Sequence, residues 1–296
     1  MGTPPKTGIP LLLQDDYLSA ASPLFDEGVI AALEWNIDIP WGVVTWQLPG
    51  WVEEILDTFS QEGALYGHGV MYSTLSGTLS ARQQRWLVAL EREARRRKYV
   101  HISEHFGFMT AGPFYREGAP LPVPMTDQTI ALGQDRVRRL FEAAGTRVGL
   151  ENLGTALSPQ DARDQGAFLD ALLAPTDGFL ILDLHNLWCH AQNFGYDAAK
   201  LMLTYPLHRV RELHLSGGSW FEAPSVPGRA PVRRDTHDDA VPAEVFQLLP
   251  LALDRCPDVE VVILERLPGT FRDAADMARY RDDYHRMAEI VEAHHG

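Results

Sequence analysis

Cysteine is scarce in this chain. Of 296 residues only Cys189 and Cys256 are cysteine. That excludes a disulfide framework and suits a reducing compartment, so the expected location is the cytoplasm. Long hydrophobic runs are missing as well. No stretch approaches the roughly 18 consecutive apolar residues of a membrane span. The start, Met1 to Asp16, has neither a basic n-region nor a long apolar core, so no secretory signal is expected. Positive charge is in deficit: 26 Lys and Arg stand against 40 Asp and Glu, a net charge of −14. Nucleic-acid binding, which needs a basic face, is thereby disfavoured. The one basic run, Arg95-Arg96-Arg97-Lys98, reads as the cationic end of a helix, where it suits the helix dipole. There is no internal repeat and no low-complexity tract. Nor is there a Gly-rich phosphate loop with a lysine. The nearest stretch, Ser216-Gly217-Gly218-Ser219, lacks the lysine and reads as the start of a flexible loop.

Short apolar runs alternate with longer amphipathic ones, the pattern of βα units on a parallel sheet. The expected strands are Ile9–Leu13, Ala32–Ile37, Leu65–Gly69, Val100–Ser103, Val148–Glu151, Phe179–Asp183, Glu212–Leu215 and Val259–Leu264. Helices are expected over Ser80–Lys98, Asp127–Ala144, Ser158–Leu173, Val241–Leu253 and Ala274–His294. Ser80 stands as a cap, Gly145 as a C-terminal stop, and Pro159 at a first helical position. Eight strands, most of them feeding a helix, read as a single α/β domain over residues 1–296, a (β/α)8 TIM barrel. Two connections after strands are long and rich in Pro and Gly, Gly107 to Met125 and Ser216 to Asp235. Such loops are expected on the face where barrel active sites are built.

The ends of the strands carry the chemistry. Successive strands run into His68, into Glu104 and His105, into Glu151 and Asn152, into Asp183, His185 and Asn186, into His214, and into Glu265. In a barrel these ends converge on one pocket. Asp183 and His185, two apart, are expected to share a face of their strand, as are Ser103 and His105. Asp235-Thr236-His237 adds a further pair after the seventh strand. Converging buried carboxylates need cations or protons to offset their repulsion, and imidazoles mixed among them favour a metal. So many ligands exceed the need of one zinc, so more than one metal is expected. An all-N/O set suits iron, manganese or zinc. Elsewhere, Trp35, Trp41, Trp46 and Trp51 wall either a peptide cleft or the barrel rim. Glu34, Asn36 and Asp38 add polar groups to the pocket or bond along its rim. Cys189 reads as a buried structural thiol.

These motifs resemble a known family. Gly67-His68-Gly69-Val70, Ser103-Glu104-His105-Phe106, Glu151-Asn152, Leu182-Asp183-Leu184-His185-Asn186 continuing to Asn193-Phe194-Gly195, Glu212-Leu213-His214-Leu215-Ser216-Gly217, Asp235-Thr236-His237 and Leu264-Glu265 come in its order. The family is that of the multinuclear non-heme iron-dependent oxidative enzymes, long called domain of unknown function 692. The resemblance implies a (β/α)8 barrel holding two or three irons that use O2. It implies oxidation of a ribosomally made precursor peptide, often at cysteine, presented by a separate leader-binding partner protein. It implies that His68, His105, Glu151, Asp183, His214 and Glu265 hold the first two irons, with Glu151 bridging. Asn186, Asp235 and His237 would line a third site. Glu104 and His185 are the further catalytic-site groups, Glu104 supporting the ligands from the opposite parity.

The chain departs from the family in two places. Relatives usually end the His-Leu-Ala-Gly-His motif with a second histidine, where this chain has Gly217-Gly218. His185 replaces the first Asn of Leu-Asp-x-Asn-Asn, and either compensates for the missing ligand or only hydrogen-bonds a carboxylate. Two rival readings remain. One is a metal-dependent hydrolase or isomerase of the endonuclease-IV or xylose-isomerase type. The other is a non-catalytic barrel that binds a peptide.

Overall fold

The computed structural model describes residues 4–38, 48–111, 114–115, 120–222 and 230–295. Eight parallel strands close into a barrel: β1 (Lys6–Leu11), β2 (Ala32–Asn36), β3 (Leu65–Gly69), β4 (Ile102–His105), β5 (Val148–Glu151), β6 (Phe179–Asp183), β7 (Val210–Leu215) and β8 (Val261–Leu264). Each pairs with its sequence neighbours, and β8 pairs with β1. This is the expected (β/α)8 architecture. Helices α1 (Asp15–Asp26), α2 (Gly50–Gln61), α3 (Ala81–Arg96), α4 (Asp127–Ala144), α5 (Pro159–Leu173), α6 (Leu184–Phe194), α7 (Ala198–Met202), α8 (Ala243–Arg255) and α9 (Ala274–His295) lie between the strands and after β8. None is long and apolar enough to cross a membrane.

The local chemistry explains the elements. Phe179-Leu180-Ile181-Leu182 is apolar on both faces because a barrel strand is buried on both. Ser80 and Thr126 close capping boxes on α3 and α4, and Ser158 caps α5 ahead of Pro159. Gly145 ends α4 in the left-handed conformation. The outward-facing strand residues and the helices form one apolar shell, which includes Leu33, Leu65, Ile102, Leu150 and Leu180. Ala32, Tyr66, Val261 and Ile263 form a separate small apolar cluster, with Val100 packed against it.

Two boundaries differ from expectation in an informative way. Strand β1 begins three residues earlier than its apolar run, because Lys6 and Thr7 pair with β8 where side-chain polarity is tolerated. Strand β6 has no loop after it: α6 starts at Leu184. Asp183 is the last strand residue and also the helix N-cap, its Oδ1 accepting from the Asn186 N–H at 2.5 Å. The parity argument for Asp183 and His185 therefore fails, since His185 sits in the first turn of a helix.

Candidate metal centre

Strand register places the polar residues at matching heights. His105 lies beside Glu151, Asp183 beside His214, and His68 beside Asn36. Glu151 is central. Its Oε2 lies 3.2 Å from His68 Nε2 and 3.1 Å from His105 Nε2. Its Oε1 lies 3.6 Å from His214 Nδ1. His214 Nδ1 is also 3.2 Å from Glu265 Oε2. The atoms that could ligate a metal fall into overlapping groups, of which Glu34, Glu212 and His214 form one beneath the cluster and two others share Glu151. Of those two, one is His68, His105 and Glu151; the other is Glu151, Asp183, His214 and Glu265.

The hydrogen bonds behind the imidazoles decide which nitrogen faces inward. His105 Nδ1 faces the Gly69 carbonyl at 3.3 Å, so that nitrogen carries the proton. Ser103 Oγ donates to the Gly67 carbonyl and accepts from His68 Nδ1 at 2.7 Å. Both rings therefore present an Nε2 lone pair to the same side of Glu151. His214 is turned the other way. Its Nε2 lies 3.3 Å from both Glu34 Oε2 and Glu212 Oε1, leaving Nδ1 for the cluster. Glu212 Oε2 in turn accepts from His101 Nε2 at 2.7 Å. Such outer carboxylates fix the tautomer of a ligating histidine.

The residues fit metal ions. His68 Nε2, both Glu151 oxygens, His214 Nδ1, Asp183 Oδ2, Asp235 Oδ1, Asn186 Oδ1 and Glu265 Oε2 are buried without a hydrogen-bond partner. Orphaned polar atoms are rare in folded proteins, and here they converge. The electrostatics agree. Burial, then the charges of Asp235 and Glu151, push the Asp183 carboxyl well above its ordinary range. Burial works against a charge on His68, but Glu34 and Glu151 raise its pKa to about 10. Burial likewise opposes a charge on His214, and Glu265 and Glu34 overcome it. Protons hold the places that cations would take.

A further group adjoins these. Asp235 Oδ1 lies 2.7 Å from His237 Nε2 and 3.5 Å from His185 Nδ1, and His237 Nδ1 lies 3.6 Å from Glu265 Oε2. His237 holds a left-handed backbone (φ 47°), a strained conformation of the kind that gathers at functional sites. His185 does not face the cluster with a free nitrogen. Its Nε2 accepts from Arg233 Nε at 3.3 Å, and its Nδ1 faces Asp235. It is a hydrogen-bonding group. It also explains Gly218. A Cβ there would lie 2.2 Å from the Arg234 carbonyl oxygen and 2.9 Å from His185 Cε1. The same holds for Gly217, where a Cβ would lie 2.1 Å from the Ala240 oxygen. Ser216–Ser219 is thus packed hard against backbone, not the loose loop its composition suggests. Gly218→His is expected to lower the melting temperature by several degrees without adding bound metal. A melt and a metal assay on the same sample check this; a gain of metal would contradict it.

Glu104 is not brought into the cluster. Its side chain faces outward from β4, where Oε1 accepts from the Tyr72 and Ser73 amides at 2.6 and 3.2 Å. It pins the turn after β3, in which Ser73 has φ 63°. Its contacts are thus with the backbone beside the cluster and not with the ligating atoms. Asp38 does similar work, accepting from the Val70 and Met71 amides at 2.6 and 3.0 Å, while Glu34 and Asn36 line the cavity. Trp35 is core and Trp51 is half exposed; Trp41 and Trp46 lie outside the described residues. Cys189 and Cys256 are buried and unpaired, and burial pushes both thiols up. The sequence reading missed Glu212 and His101 as the support of His214. Only the two-residue spacing of Glu212 and His214 could have pointed to it.

The cavity over the cluster holds about 520 Å³, ordinary for a small-ligand or peptide-end site. His68, His105, Asp235, His237 and Glu265 line it.

Comparison with solved structures gives the fold. D-allulose 3-epimerase from Methylomonas sp. matches with TM-score 0.60 at 14% identity, over 99% of each chain. Endonuclease IV from Thermus thermophilus matches with TM-score 0.55 at 16% identity, over 96% of this chain and 99% of that one. Among sequence relatives, a UPF0276 protein of Acaryochloris marina is 32% identical over 152 residues, covering 51% of this chain and 54% of that protein. A UPF0276 protein of Caulobacter vibrioides is 29% identical over 218 residues, 71% of each. In the Acaryochloris and Acinetobacter baylyi relatives the coverage is 54%, so the chain spans about half the length of the curated relatives matched there. The family model described as RiPP precursor modification enzyme MbnB/TglH/ChrH matches residues 44–286, which include every strand-end residue of the cluster. The chain belongs to that family, the multinuclear non-heme iron-dependent group that its strand-end motifs resemble.

Proposed function

We propose that this chain is a multinuclear iron enzyme that uses O2 to modify a ribosomally made precursor peptide oxidatively, at cysteine. The observation that carries the reading is Glu151. Its two buried oxygens lack hydrogen bonds and face different histidines, the arrangement of a carboxylate shared by two cations. His68, His105, Glu151, Asp183, His214 and Glu265 would hold two irons, and Asn186, Asp235 and His237 would line a third position. Bound there, iron supplies O2 activation and the oxidising power to take hydrogen from a substrate carbon.

The chain's own residues do the rest. Ser103 and the Gly69 carbonyl hold two imidazoles in the tautomer that leaves Nε2 free. Glu212 and Glu34 hold the third imidazole with Nδ1 inward. Asn152 accepts from the Asp183 amide at 2.7 Å and donates to the Asp183 carbonyl at 3.1 Å, fixing the end of β6. Leu153, Leu267 and Val232 give the cavity apolar walls that exclude water from the peptide segment. A separate partner protein presenting the peptide fits a cavity that opens at the barrel mouth. The buried, unpaired thiols and the acidic charge suit a cytoplasmic protein that does not bind nucleic acid.

Metal analysis on protein purified without oxygen tests the reading. More than one iron per chain is expected, with Mössbauer spectra of coupled iron. Zinc or manganese at full occupancy, inert to O2, would replace it with the hydrolase or isomerase reading that the epimerase and nuclease neighbours allow. The pH dependence has a definite sign. His68, His214 and His237 all have raised pKa values in the metal-free chain and must give up protons to bind metal. Apparent metal affinity should therefore fall as pH falls. Titrations in buffers of different ionisation enthalpy should show protons released.

A further inference from the structure

Four arginines among the described residues are buried: Arg97, Arg136, Arg233 and Arg266. Three are ion-paired, Arg97 with Glu53, Asp57 and Glu93, Arg136 with Asp135, and Arg266 with Asp276. Arg233 has no carboxylate within ion-pair distance among the described residues, yet it is only 7% exposed and lines the cavity. A buried guanidinium without a counter-ion is costly, so its position calls for an explanation.

The surroundings of Arg233 are built, not accidental. It sits in a two-stranded ribbon after β7, paired with Trp220. Asn193 grips its backbone from both sides, accepting from its N–H at 2.7 Å and donating to its carbonyl at 2.9 Å. Its Nε donates to His185 Nε2, a neutral acceptor that brings no counter-charge; Asp238, Asp239 and Glu244 favour its charge only from beyond ion-pair distance. Its guanidinium lies 4.6 Å from the Trp188 ring centre and 5.7 Å from that of Trp220. Stacking of this kind holds the planar group while leaving its edge nitrogens for a ligand.

We propose that Arg233 is the carboxylate-binding subsite of the peptide cavity, taking either the C-terminal carboxylate of the substrate or an acidic side chain beside the modified residue. A planar guanidinium binds a carboxylate through paired N–H bonds, which a lysine cannot reproduce. Of the other charged groups in the lining, Glu34, Asp235 and Glu265 repel an anion, Arg266 is already paired with Asp276, and Arg234 is exposed and donates to Ser219, which leaves Arg233 as the buried arginine without a carboxylate partner. His185 gains a role here as the positioning residue for Arg233. The proposal rests on the peptide-modifying reading for its substrate, but its test uses binding alone.

Three probes separate the sources: N-acetylcysteine, N-acetylcysteinamide, and N-acetylaspartyl-cysteinamide. Each is titrated anaerobically into the full chain, with Trp fluorescence and calorimetry as readouts and metal content measured on the same sample. One carboxylate probe is expected to bind about tenfold or more tighter than N-acetylcysteinamide. Which one identifies the C-terminal or the side-chain source. Arg233→Gln should abolish that preference and leave the amide's affinity unchanged, with Arg233→Lys restoring only part. Trp220→Ala, at a half-exposed ring, should weaken the carboxylate probe several-fold, and it decides the matter if Arg233→Gln does not fold. Equal affinities in the unaltered chain, or a preference that survives in the variants, would overturn the proposal. So would the absence of saturable binding by both carboxylate probes. Finding zinc in the sample with the preference intact would instead overturn the iron reading and leave the subsite standing.

Discussion

Glu151→Gln is expected to strip metal from both halves of the cluster at once, with the barrel still folded. In the native chain one carboxylate oxygen faces His68 and His105, and the other faces His214. An amide supplies one oxygen only, and its NH2 group points a donor at nitrogens that must offer lone pairs. Whichever way the amide turns, one half of the site gains an N–H that occupies a ligand lone pair and repels the cation. The remaining half loses the charge that offset its cation. The loss of affinity should exceed the 10- to 100-fold that outer partners of a ligand typically cost, so more than about 100-fold. Because metal binds only the folded chain, its stabilisation should vanish with it, and melts with and without added Fe(II) should coincide. Metal content per chain is the decisive number. If half of the native content survives, Glu151 serves one ion and the shared-carboxylate reading is wrong.

The barrel was legible in the sequence because its strands are buried on both faces. Runs such as Leu180-Ile181-Leu182 admit few other readings once helical patterns fall between them. The strand-end residues were legible for a related reason: a polar group that ends an apolar run stands at the rim. What could not be read lies where contact crosses the chain. Helix α6 was hidden because Asp183 ends a strand and caps a helix in one step, so no turn residues announce it. His101 precedes β4 with no local sign that it reaches Glu212, more than a hundred positions away. Arg233 draws its meaning from Asn193, His185, Trp188 and Trp220, which come from two other segments. Glu104 is the opposite case. Its place beside His105 suggests chemistry, but strand alternation turns it to the helix layer, where it holds backbone amides.

Glu212→Ala is expected to damage stability and metal binding by separate routes, and a second substitution should separate them. Glu212 is buried on the barrel axis one layer below His214, bonded to His101 on one oxygen and facing His214 with the other. Burial resists its charge, but His101 and His214 outweigh it and hold its pKa near 2. Removing it leaves His101 without its acceptor and His214 with one of its two carboxylates, and breaking a buried pair of this kind costs about 3–5 kcal/mol. Metal affinity should fall about 10- to 100-fold, because His214 keeps only Glu34 to fix its Nδ1 inward. The double variant Glu212→Leu with His101→Leu replaces the pair by apolar groups of similar size. It should regain most of the lost stability, since such exchanges are often nearly neutral. It should not regain metal affinity, because His214 is still half supported. Urea unfolding of the metal-free chains and calorimetric titration with Fe(II) read the two effects independently. Recovery of both in the double variant would reduce Glu212 to a packing role. Recovery of neither would mean that the barrel axis needs the charge itself.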